Sequence, residues 1–129
     1  GRPALLYDDD CRFCRACADL VSRWDGRGTL GLLPFSSPAA IELMAPLDPA
    51  VRDRSMHLVA EDGSIASAGE AMVDLLEFLP GLRWLGRLGH RIAPLGALIG
   101  WSYRLVAGNR GFLSRIVPDR PSVMRLPGA

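Results

Sequence analysis

Two short apolar runs, residues 3–7 and 29–35, are each bounded by turn-forming residues, which is the pattern of buried β-strands. Between them Cys14, Cys17, Ala18, Val21 and Trp24 recur every three or four positions, so one face of a helix is apolar until Asp25-Gly26 ends it. Strand, helix and strand in succession imply a right-handed crossover that leaves the two strands parallel. Ser37-Pro38 is an N-cap with proline at the first helical position; it predicts a short helix to residue 45, followed by a loop over 46–54. Residues 56–60 read as a strand, Asp62-Gly63 as a hairpin turn and residues 64–67 as the returning strand. Ser67-x-x-Glu70 then has the form of a capping box, and Met72, Leu75, Leu76 and Leu79 give the helix it opens one apolar face.

After Pro80-Gly81 the pattern is helical only, with segments at 82–93 and 94–107 divided at Pro94 and a short turn or helix at 112–117. Residues 118–129 hold three prolines and are expected to be extended. A length of 129 residues fits one domain, and the last 47 are too few for an independent core. They are expected to cap the sheet formed by residues 1–80.

Composition narrows the class. With 49% apolar and 22% charged residues, the chain can bury a core without disulfide or metal staples, which excludes a disordered or disulfide-dense scaffold. The net charge of +1 gives no overall affinity for nucleic acid. It conceals an asymmetry: residues 1–82 hold seven arginines against thirteen acids, and residues 83–129 hold eight arginines against Asp119 alone. Arg83, Arg87 and Arg91 line one side of a helix whose other side carries Trp84, Leu85, Leu88 and Ile92. Two readings stay open for that helix: a solvated face over an apolar side packed inward, or peripheral contact with an anionic membrane. No apolar stretch reaches the length of a membrane span and no signal-peptide pattern opens the sequence, although residue 1 is Gly rather than Met and the start does not fix the compartment; the expected location is cytoplasmic, with membrane association as the second outcome.

The chemistry lies at the first helix start. Cys11-Arg12-Phe13-Cys14 is a C-x-x-C that follows a strand and opens a helix. There the first cysteine sits among unpaired backbone N–H groups at the positive end of the helix dipole, an environment that favours a thiolate, while the second lies one turn inward within disulfide reach. Cys11 is therefore the expected attacking thiol, exposed to solvent, and Cys14 the shielded resolving thiol. Arg12 and Arg15 favour the thiolate, and Asp8 and Asp10 oppose it if they face it. Asp8, at the strand end, is the candidate proton acceptor for Cys14; the competing reading is that all three aspartates only cap the helix and solvate the turn. Cys17 shares the apolar stripe and reads as a small packed hydrophobe, with a backup resolving role as its rival. Cys11, Cys14 and Cys17 begin like an iron–sulfur cluster run, but Val21 stands where the fourth cysteine would fall. His57, expected on a strand flank, and His90, on an exposed helix face, are poorly placed to complete a metal site. No cofactor or metal is expected.

A βαβ unit followed by ββα, with a cysteine pair opening the first helix, is the thioredoxin-like pattern. The run Tyr7-Asp8-Asp9-Asp10-Cys11-Arg12-Phe13-Cys14 resembles the Y-D-G-x-C-x-x-C opening of the DCC family of thiol-disulfide oxidoreductases. Ser67 with the helix at 69–76 is similar to that family's mid-chain serine and helix, and Tyr103-Arg104-Leu105 through Asn109-Arg110 to its C-terminal tyrosine and Asn-Arg stretch. The resemblance implies a thioredoxin-like fold, an active pair of Cys11 and Cys14, and Asp8 as the motif aspartate. Asp9 replaces the motif glycine, so a turn needing positive φ would lean on aspartate's tolerance of that region. Thioredoxins generally place a cis-proline just before the third strand; here Arg54-Ser55 precedes Met56 and Pro49 is too far back.

The function expected is thiol–disulfide exchange through Cys11 and Cys14 with a thiol- or disulfide-containing protein or small thiol. The alternative is a noncatalytic interaction module whose basic tail docks on a membrane or protein, its cysteines serving packing or a metal.

Overall fold

The computed structural model describes residues 3–25, 30–52, 56–117 and 124–125. The elements run β1 (Ala4–Tyr7), α1 (Arg12–Trp24), β2 (Gly31–Pro34), α2 (Pro38–Met44), α3 (Pro49–Arg52), β3 (His57–Val59), β4 (Ile65–Ser67), α4 (Ala68–Leu76), α5 (Arg83–Arg91), α6 (Ala93–Gly108) and α7 (Arg110–Ile116). Among the described residues four strands form one sheet in the order β2-β1-β3-β4. β1 and β2 are parallel, with Leu5 opposite Leu32, whereas β3 is antiparallel to both β1 and β4. This is a βαβ unit joined to ββα, a mixed α/β arrangement compatible with a thioredoxin-like fold.

Strand alternation divides the core. Leu5, Tyr7, Leu32 and Leu58 face α1 and α4, where they meet Ala18, Ala71 and Leu75. Ala4, Leu6, Leu33 and Val59 face the other way, against Ala40 and Met44 of α2. β1 and β2 are buried on both faces, which is why they read as continuous apolar runs.

Several local expectations change. The stretch 46–54 is not all loop: Asp48 Oδ1 accepts the Ala50 N–H at 2.9 Å, and a turn of helix follows from Pro49. The capping box does not form, since Ser67 makes no side-chain cap bond to α4. Its hydroxyl is engaged instead by His57, which lies fully buried rather than on a flank. His57 Nδ1 is 2.7 Å from Ser67 Oγ and Nε2 is 3.0 Å from the Arg52 carbonyl oxygen. Because that carbonyl can only accept, Nε2 donates to it. At the hairpin Gly63 has φ +88, and the hydroxyl and amide of Ser64 hold the Asp62 carboxyl below its usual range.

The C-terminal helices do not lie directly on the strands as expected, because α1 and α4 already occupy that face; α6 packs instead on α4 and α5, and α7 on α1. Pro94 causes no kink: it sits in the first turn of α6, where a missing N–H costs nothing. The seating is close. A Cβ on Gly69 would come 2.7 Å from Gly100 Cα, and one on Gly96 would come 2.5 Å from the Gly89 carbonyl oxygen. The expected extended tail lies largely outside the described residues, as do Gly26, Thr29, Arg54 and Ser55. Arg125, however, is paired with Leu32 across an antiparallel bridge, and its guanidinium meets the buried Asp25 carboxylate at 2.7 Å.

These contacts yield a stability prediction. Gly96→Ala sets a methyl against backbone, so α5 and α6 must part, at an expected cost of about 1–3 kcal/mol. Gly108→Ala meets nothing within 4 Å and should be neutral or stabilise by up to about 1 kcal/mol. Denaturant unfolding of the two variants checks this, and equal midpoints would contradict the close seating.

Candidate functional site

β1 ends at Tyr7 and the chain reverses through Asp8, Asp9 and Asp10 into α1. Asp8 Oδ1 accepts the Asp10 N–H at 3.0 Å, closing a turn that needs no positive φ at Asp9. Asp9 takes a different task from the glycine it replaces: its carboxylate accepts the Ser36 N–H at 3.2 Å and the Ser36 hydroxyl, tying the turn to the end of β2. Arg15 donates to the Asp9 carbonyl oxygen at 2.6 Å, so its guanidinium braces the turn. Arg12 is exposed. The N-cap of the helix is Cys11.

Cys11 is the N-cap of α1, with extended backbone, and its Sγ accepts the Cys14 N–H at 3.3 Å. This is the geometry of an ordinary side-chain cap, with sulfur in the place of oxygen. It brings the two cysteines of the pair together. Their exposure differs from expectation, because both are half-buried while Cys17 is the exposed one. The reason is α7, which packs against the start of α1. From it Ser114 Oγ accepts the Phe13 N–H at 3.1 Å and lies 3.9 Å from Cys11 Sγ. Ser114 was not among the residues singled out from the sequence. It is 103 residues from Cys11, and a serine in a short helix carries no periodic or motif signal to mark it.

The apolar stripe of α1 is not sealed into the core. Of its members Ala18 is buried, whereas Cys17 and Trp24 are exposed. They form one wall of an open, largely apolar groove of about 630 Å³ between α1, α4 and α6, to which Asp8 and Cys14 also contribute. Cys17 is thus exposed rather than a packed hydrophobe, yet the groove's walls deny its thiolate solvation. That desolvation, and then the nearby Cys11, push its pKa up to about 11. Tyr103 lines the groove as well, and its hydroxyl oxygen accepts the Met56 N–H at 3.3 Å, tying α6 to the entry of β3.

The remaining candidates lie elsewhere. His90 Nε2 meets Asp74 at 2.7 Å on the outer side of α4 and α5. Arg83, Arg87 and Arg91 are all exposed on α5. Among the described residues no three His, Cys, Asp or Glu side chains are grouped so as to hold a metal, and no helix is long and apolar enough to cross a membrane.

The fold and the site together define a class: a thioredoxin-like α/β protein with a C-x-x-C pair at the start of its first helix. The chain belongs to the DCC1-like thiol-disulfide oxidoreductase family, whose family model matches residues 5–116. No curated protein and no solved structure matches it.

The thiols should separate by pH. An alkylating agent at pH 7 should label Cys11 first, because the raised pKa of Cys17 leaves about a hundredfold fewer thiolates there than at an ordinary cysteine. Labelling of Cys17 should then climb about tenfold per pH unit toward pH 11. Mass spectrometry of the labelled peptides reads both rates, and Cys17 reacting at pH 7 like a free thiol would contradict a desolvated groove.

Proposed function

We propose that this protein exchanges disulfides with a thiol- or disulfide-containing partner through Cys11 and Cys14. The observation that carries the reading is the Cys14 N–H directed at Cys11 Sγ across 3.3 Å. At the start of α1 that donor sits against the sulfur that carries the negative charge of the Cys11 thiolate before it attacks. In the oxidising direction for the protein, Cys11 attacks one sulfur of a partner disulfide and a mixed disulfide forms. The partner's second sulfur leaves as a thiolate and takes up a proton. Cys14, deprotonated, then attacks Cys11 Sγ; the Cys11–Cys14 disulfide forms and the partner's first sulfur leaves. Two electrons have passed to the partner, and the reverse sequence returns them.

Asp8 is the proton acceptor for Cys14 in this reading. Its support is that Asp8 closes the turn before α1 and lines the same groove as Cys14. Ser114 holds the Phe13 N–H from outside the helix, so the start of α1 is braced by a residue of the C-terminal layer.

A peripheral docking role is favoured by a separate observation. Residues 83–117 contain no acid, and their helices leave Trp84, Trp101, Leu105, Phe112 and Ile116 more than half exposed. Sedimentation with anionic vesicles that is lost at high salt, and lost when Arg83, Arg87 and Arg91 become glutamine, is the result that role predicts. Absence of binding at low salt removes it.

The exchange itself is tested by trapping. Cys14→Ser should leave a mixed disulfide on Cys11 that accumulates with a disulfide substrate and is released by reductant, while Cys11→Ser should trap nothing at that position. Accumulation on Cys17 instead, or equal trapping by both variants, would overturn the assignment of roles.

A further inference from the structure

The groove beside the cysteine pair has a chemistry of its own. Its walls come from α1, α4 and α6 and are built from side chains such as Trp24, Met72, Leu76, Leu98 and Ile99. At about 630 Å³ it lies within the size range of small-molecule sites. Polar groups are few: Asp8 and the thiols at the cysteine end, and Ser102 and Tyr103 along α6. Of the latter, the Ser102 hydroxyl already donates to the Leu98 carbonyl oxygen at 2.9 Å, and the Tyr103 oxygen accepts from Met56.

Such a lining discriminates by solvation. A peptide laid along it would leave backbone N–H and C=O groups facing hydrocarbon, each at a cost of about 1–3 kcal/mol. A charged thiol such as glutathione would lose hydration without gaining a partner, and its carboxylates would meet Asp8, of the same sign. An uncharged hydrocarbon arm suffers neither penalty and covers walls that are otherwise wet. The cysteine end of the groove is lined by Cys14 and Cys17 and not by Cys11; Cys11 Sγ accepts the Cys14 N–H at 3.3 Å, so a disulfide carried at the end of such an arm arrives beside the pair.

We infer that the groove is a substrate site for an uncharged, lipophilic small molecule bearing a disulfide at one end, an inference that rests on the exchange reaction proposed above. Cys11 attacks one sulfur of a ring disulfide, the ligand's S–S bond breaks and its other sulfur leaves, still attached to the ligand, and is protonated. Cys14 then displaces the ligand from Cys11, so the protein ends as the disulfide and the ligand as the dithiol, reduced by two electrons.

Lipoamide, a cyclic disulfide on an uncharged arm, and lipoate, the same ring on the same arm ending in a carboxylate, isolate the point. Reduced protein should be oxidised by lipoamide at least tenfold faster than by lipoate. Ser102→Trp, which fills the groove, and Leu98→Glu, which charges it, both fall at exposed positions and should each abolish that preference. Calorimetry of the Cys11→Ser/Cys14→Ser protein with lipoamide reads binding without redox, and should show one saturable site that Ser102→Trp removes. Equal rates for lipoamide and lipoate, or a preference that survives both groove variants, would overturn the inference while oxidation by glutathione disulfide kept the exchange reading intact. Saturable binding with no oxidation by any of the three disulfides would overturn the exchange reading and the inference with it.

Discussion

The site depends on one constraint, the way the first helix begins. A helix leaves its first N–H groups without partners inside the helix, and here one of them is satisfied by sulfur. Cys11 takes the N-cap position, so its Sγ is drawn onto the Cys14 N–H, and one hydrogen bond stabilises the helix end and brings the two cysteines together. That requirement explains the construction of the preceding turn. Asp8 closes it through the Asp10 N–H, and Asp9 anchors it to Ser36 at the end of the neighbouring strand. Arg15 returns from the helix to brace it. Three acids next to a nucleophilic sulfur would work against it electrostatically if they faced it, but two of them have their carboxylates in backbone bonds that hold the turn.

The C-terminal layer connects to this start through packing rather than through the sheet. Glycine pairs let α6 approach α4 at Gly69 and Gly100 and approach α5 at Gly89 and Gly96. That approach fixes where α7 can lie, and α7 carries Ser114 to the Phe13 N–H. The same approach leaves a space between α1, α4 and α6, so the apolar stripe of α1 becomes the wall of a groove instead of core. A helical layer seated by glycines thus both covers Cys11 and opens a channel to Cys14.

Much of this was legible in the chain. The alternation of short apolar runs with 3.6-residue periodicity was enough for the βαβ and ββα units, because each strand is short and each helix has a strong local signal. The cysteine pair was legible because its meaning lies in a local context of strand, turn and helix. What escaped the sequence is what depends on distant partners. Ser67 has the form of a cap, and its hydroxyl is taken by His57 across the β3–β4 pairing; two local patterns competed, and the buried imidazole, costlier to leave unsatisfied, prevailed. Cys17 lies on an apolar stripe, and a stripe by itself does not distinguish a face pressed into the core from one lining a groove. Ser114 and Arg125 act across about a hundred residues, where no periodicity reaches.

The chain belongs to the DCC1-like family, and the exchange we propose for it stands on one claim, that Cys11 and Cys14 form a single two-electron couple. Equilibrating the protein across a thiol–disulfide redox buffer and counting free thiols tests it most directly. The account predicts one transition with the slope of a two-electron couple, loss of two thiols in the wild-type protein, an unchanged transition in Cys17→Ala, and no intramolecular transition in Cys14→Ser. A Cys14→Ser protein that still titrates as a two-electron couple, or a wild-type protein whose thiols show no defined midpoint, would contradict it.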